Sequence, residues 1–94
     1  MAVEDFAFKP AILEVTAGTT VTWTNLDNAL HTATHAPTGA IKLNPDGTFD
    51  LGGAVFNLTL DENGGSASMT FRTAGAYAYF CLPHNTMRGT VIVR

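Results

Sequence analysis

The segment Cys81-Leu82-Pro83-His84-Asn85-Thr86-Met87 puts a thiolate, an imidazole and a thioether within seven residues, at intervals of three. The runs on either side, Tyr77 to Phe80 and Thr90 to Val93, read as strands, so the three donors share a tight loop between strands. Two His and one Cys in a plane, with a weak and distant Met, form the ligand set of an electron-transfer copper site. Thiolate and thioether favour Cu(I), while imidazole suits both oxidation states. Such a set lets the ion change charge with little movement of its ligands. The second His must come from elsewhere. His31, in Asn28-Ala29-Leu30-His31-Thr32 just past the Trp23 strand, is the best candidate.

Each residue alone has a plainer explanation. A lone Cys is usually a small buried hydrophobe, a lone Met fills a core, and a loop His is solvated. Their concentration on one loop, with a remote His in a chain of strands, outweighs those explanations. Zinc fits less well, because structural zinc sites use four Cys and His ligands and not Met. A Cys-His catalytic pair fits less well again, since no oxyanion pocket or further base is signalled. The chain is therefore expected not to be an enzyme. His35, four residues after His31, is expected to be solvated rather than a ligand. Imidazoles four apart share a face only on a helix, and this region is not helical.

The elements that must hold these donors are strands. Val21 and Trp23 alternate with Thr20, Thr22 and Thr24; Phe56, Leu58 and Leu60 alternate likewise, as do Met69 and Phe71, Tyr77 and Tyr79, and Val91 and Val93. A period of two places each set on one face of a sheet. Val3–Phe8 also reads as a strand. Ala17-Gly18, Asn44-Pro45-Asp46-Gly47, Asn63-Gly64-Gly65 and Ala74-Gly75 carry turn chemistry. About seven to eight short strands separated by turns predict an all-β sandwich. Residues 34–53 are the least regular part, with a small hairpin expected around Pro45-Asp46-Gly47 between Ile41-Lys42-Leu43 and Thr48-Phe49.

At 94 residues the chain is read as a single domain over 1–94. Apolar residues make up 46% and charged residues 14%, which excludes a disordered chain. Its net charge of −3 and five scattered basic residues argue against nucleic acid as a partner. No apolar run reaches the ~18 residues of a membrane span. One Cys allows no internal disulfide, so Cys81 needs another explanation. Met1 leads straight into a strand-like run with no signal peptide, as in a mature exported domain restarted at Met, although a cytosolic protein would look the same.

The sequence resembles the cupredoxins, the plastocyanin and amicyanin family of single-copper proteins, over nearly its whole length. Phe6-x-Phe8-x-Pro10 and Val15-x-x-Gly18-x-x-Val21-x-Trp23-x-Asn25-x-Asp27 resemble the family's first strands. His31 falls where the family has its first copper ligand. Phe49-Asp50-x-Gly52 and Phe71-x-x-x-Gly75-x-Tyr77-x-Tyr79-x-Cys81 resemble the approach to the second half of the site. Cys81-x-x-His84-x-x-Met87 followed by Arg88-Gly89-Thr90-Val91 is similar to the short loop of amicyanins.

The resemblance implies a Greek-key β-sandwich with one copper ion at one end, bound by His31, Cys81, His84 and axial Met87. It also implies a monomeric, periplasmic or otherwise exported electron carrier. Transient redox partners would dock near His84, Leu82, Pro83 and Leu30. A copper transfer or storage protein is the alternative, as is a copper domain excised from a larger oxidase or reductase. Two departures stand out. The family often has Pro and Asn on either side of the first ligand His, where this chain has Leu30 and Thr32. Between His84 and Met87 it has polar Asn85 and Thr86 in place of apolar residues.

Overall fold

Val21 and Trp23 on one side of a strand and threonines on the other require an apolar layer beneath and water above. A computed structural model of the chain shows that arrangement; it describes residues 1–39, 43–48, 50 and 52–94. The described residues form nine strands and no helix: β1 (Ala2–Glu4), β2 (Ala7–Lys9), β3 (Ile12–Val15), β4 (Thr19–Asn25), β5 (His31–His35), β6 (Asn57–Leu60), β7 (Ser66–Phe71), β8 (Gly75–Phe80) and β9 (Arg88–Val93). They make two sheets, ordered β2-β1-β4-β7 and β3-β9-β8-β5-β6. Pairing is antiparallel except for β1 with β4 and β3 with β9.

The inward residues of the alternating runs form one core. Trp23, Leu60 and Val91 are fully buried, with Phe8, Phe56, Phe71 and Tyr79 packed among them. Trp23 and Tyr79 meet edge to face with ring centroids 5.4 Å apart, as do Phe8 and Tyr79 at 4.7 Å. On the outer face of β4 and β7, Thr20 pairs with Thr70 and Thr22 with Ser68 through their hydroxyls, at 2.8 and 2.7 Å. Both faces thus follow the two-residue period.

Three expectations need correction. Val3–Phe8 is not one strand. Asp5 and Phe6, with φ of 55° and 53°, turn the chain between β1 and β2. Positive φ at both centre residues is the tight hairpin turn whose twist matches its strands. The usual Asn-Gly signal is absent here, and the Asp27 carboxylate accepts both turn N–H groups instead. Secondly, the irregular stretch begins later than Thr34, because β5 runs through His35. Thirdly, His35 is buried rather than solvated: its Nδ1 accepts the Val55 N–H at 3.1 Å, and its ring stacks on Phe56. The turn around Pro45-Asp46-Gly47 is present, closed by the Asn44 N–H donating to the Thr48 carbonyl at 2.7 Å. Its expected flanks Ile41, Lys42 and Phe49 lie outside the described residues.

Candidate metal centre

β8 and β9 pair in register from Gly75 with Val93 to Phe80 with Arg88, which leaves Cys81 to Met87 as their connecting loop. The loop closes on itself. The Cys81 N–H donates to the Met87 carbonyl at 3.2 Å, and the Met87 N–H donates to the His84 carbonyl at 2.9 Å. β5 lies beside β8, pairing Thr34 with Phe80, and so delivers His31 to the same end of the sandwich.

The expected donors therefore converge. Cys81 Sγ lies 3.6 Å from Nδ1 of His31 and 3.6 Å from Nδ1 of His84. All three ligand atoms lie within 4.8 Å of one another. A metal ion about 2.0–2.3 Å from nitrogen and sulfur ligands holds a nitrogen and a sulfur roughly 3.6–3.8 Å apart, which the two sulfur–nitrogen separations match. Among the described residues it is the one cluster of three or more His, Cys, Asp or Glu suited to a metal. Met87 is buried in the same apolar cluster as Cys81. Cys81 and His31 are fully buried, whereas His84 is half-buried and its neighbours Pro83 and Asn85 are exposed.

Burial pushes the Cys81 thiol up, against the pull of the Thr32 N–H that donates to its sulfur at 3.4 Å. The free thiol is therefore protonated near neutrality, and a metal ion must displace that proton to bind the thiolate. Thr32, which stands where the family often has Asn, does more than point at sulfur. Its hydroxyl accepts the Leu82 N–H at 2.9 Å and lies 2.9 Å from the Thr34 hydroxyl, tying β5 to the ligand loop.

Two further residues reach the site that were expected only as part of the first strands. Asp27 Oδ2 lies 2.8 Å from His31 Nε2. Burial raises the Asp27 carboxyl, but the Phe6 N–H, the His31 ring and the Asp5 N–H outweigh it and hold it below the usual carboxylate range. An ionised carboxylate only accepts, so His31 Nε2 carries a proton, and Nδ1 is the ring nitrogen left to face Cys81. Phe6 stands edge-on to both imidazoles, with centroids 5.0 Å from His31 and 4.9 Å from His84. The Asp27-to-His31 spacing of four carries no signal outside a helix. Phe6 was hidden by its place in an apparent strand.

Beside His84, Phe6 is about half exposed, Leu82 is half-buried, and Pro83, Asn85 and Thr86 are exposed; Leu30, next to His31 in the chain, is about half exposed. His35 is not part of the cluster, since its ring is committed to Val55 and Phe56.

Residues 1–94 match the family model described as copper binding proteins, plastocyanin/azurin family. An amicyanin of Paracoccus denitrificans is 36% identical over 81 residues, covering 86% of this chain and 53% of the amicyanin. A halocyanin of Natronomonas pharaonis is 34% identical over 91 residues, covering 94% of this chain and 48% of the halocyanin. The chain thus spans about half the length of these two relatives. The structure of the Cu(I) form of an amicyanin variant aligns with a TM-score of 0.76 at 29% identity, over 99% of this chain and 78% of that one. With the match running from the first residue to the last and the sandwich shared, the chain belongs to the copper-binding plastocyanin/azurin family.

Proposed function

We propose that the chain is a one-electron carrier, in which His31, Cys81 and His84 would hold one copper ion as strong ligands and Met87 would be a weaker donor to it. The observation that carries this reading is the equal 3.6 Å separation of the Cys81 sulfur from two imidazole Nδ1 atoms, next to a buried Met. The bound ion supplies the Cu(II)/Cu(I) couple. Around it, Cys81 gives the charge that favours Cu(II), and the Thr32 N–H withdraws part of that charge. His31 is held from behind by Asp27, so its ring would stay in place in either oxidation state of the ion. His84 reaches the surface and gives a partner its shortest approach to the centre.

Leu30, Leu82, Pro83 and Phe6 form an apolar rim there, suited to brief contacts over a small area. The chain works as a monomer, in an exported compartment, and catalyses no reaction of its own. Reversible cycling tests the reading. Repeated oxidation and reduction should return the same visible spectrum with one copper retained per chain. Loss of copper on each reduction would instead mark a protein that passes the metal on.

A further inference from the structure

The Asp27 carboxylate holds two things at once. Its Oδ2 meets the ring Nε2 of His31 at 2.8 Å and the backbone N–H of Phe6 at 3.0 Å, while Oδ1 accepts the Asp5 N–H at 2.9 Å. Asp27 is itself anchored. Its N–H donates to the Asn25 side chain at 3.0 Å, its carbonyl accepts the Asn63 N–H at 2.9 Å, and the neighbouring Leu26 N–H donates to the Val3 carbonyl at 2.8 Å. Asn25 is fully buried and bonds in turn to the carbonyls of Ala29 and Leu60.

Phe6 has a positive φ of 53°, which a bulky residue adopts only when its surroundings hold it there. That conformation lays its ring edge-on against both imidazoles, within the range of attractive aromatic pairs. His31 has a hydrogen bond at its outer nitrogen. Among the described residues His84 has none at Nε2, and Phe6 and His31 are its ring neighbours.

We propose that Asp27 is a positioning residue for both imidazoles: it fixes His31 directly, and it holds His84 through the turn that keeps Phe6 over its ring. This rests on the copper reading above and assigns the device that keeps its two His ligands in place. Phe6 is then a cover fastened from inside the site, not a chance part of the apolar rim. The two fastenings share one oxygen, so loss of the carboxylate loosens both donors together.

Asp27→Asn tests this, because it leaves one carbonyl oxygen for three donors and replaces the other oxygen with a donor. In the diamagnetic Cu(I) protein, hydrogen exchange should speed up together at His31 Nε2–H and at the Asp5 and Phe6 amides. The His84 ring signals should shift and broaden, and copper affinity should fall about 10–100-fold. Phe6→Ala should disturb the His84 signals while His31 Nε2–H stays protected. Faster exchange at His31 alone, or at the turn alone, would overturn the proposal, as would undisturbed His84 signals in Asp27→Asn. These outcomes are separate from the copper reading. Wild type with a thiolate-to-copper band but no coupled exchange refutes only the role of Asp27. Wild type without that band refutes the copper reading, and the exchange coupling is then read in the copper-free chain.

Discussion

Replacing Thr32 with Val keeps the shape of the side chain and removes one hydroxyl. That hydroxyl is the acceptor for the Leu82 N–H at 2.9 Å and lies 2.9 Å from the Thr34 hydroxyl, at a residue only 7% exposed. A part-buried N–H left without an acceptor costs about 1–3 kcal/mol. The new methyl would also sit nearer to both polar atoms than the ~3.5–4.0 Å of an ordinary carbon contact, so β5 or the loop must shift. A loss of about 2 kcal/mol follows, equivalent to about 10 °C in Tm for a chain of this length. Thermal unfolding of the copper-free and copper-loaded protein measures it. The Thr32 backbone N–H that donates to Cys81 is unchanged by the substitution, so the thiolate-to-Cu(II) band should stay. An unchanged Tm would refute the role given to the hydroxyl. A lost band with an unchanged Tm would show that the side chain acts on the copper rather than on the loop.

Three further outcomes are expected. Met87→Gln replaces a soft thioether with a harder oxygen and should lower the midpoint potential with copper retained. An unchanged potential in protein-film voltammetry would remove Met87 from the ligand set. Gly89→Ala places a Cβ against the Tyr79 ring and hydroxyl, a ring already packed on Phe8 and Trp23, and should cost about 1–3 kcal/mol in urea unfolding. Burial lowers the pKa of His35, whose Nδ1 must stay unprotonated to accept the Val55 N–H. The unfolded chain then takes up the proton first. The stability from His35 is complete above about pH 6.5 and is lost as the pH falls through its folded value. His35→Gln, measured by denaturation across pH, should flatten that limb.

Three of the four candidate ligands were legible because their chemistry is local. Cys81, His84 and Met87 sit on one loop whose flanking strands announce themselves by alternation. The core was legible for the same reason, since Val21, Trp23, Phe56, Leu60, Phe71, Tyr79, Val91 and Val93 all point where a two-residue period puts them. β5 was not. His31-Thr32-Ala33-Thr34-His35 is buried on both faces and contains no large aliphatic residue, so it offers no contrast between inside and outside. The burial of His35 was lost with it. The β1–β2 turn was hidden because Asp5 is followed by Phe6, where the usual hairpin signal has Gly. What stabilises it is Asp27, some twenty residues along the chain, and a tertiary contact of that kind leaves no local pattern.

The visible absorption spectrum of the Cu(II)-loaded protein, taken beside that of Cys81→Ser, tests the central claim most directly. One copper per chain should bind and produce an intense band from thiolate-to-Cu(II) charge transfer. Cys81→Ser should lack that band whether or not it still takes up metal. A band that survives in Cys81→Ser, or a copper-loaded wild type with none, would contradict the assignment of Cys81 and with it the carrier.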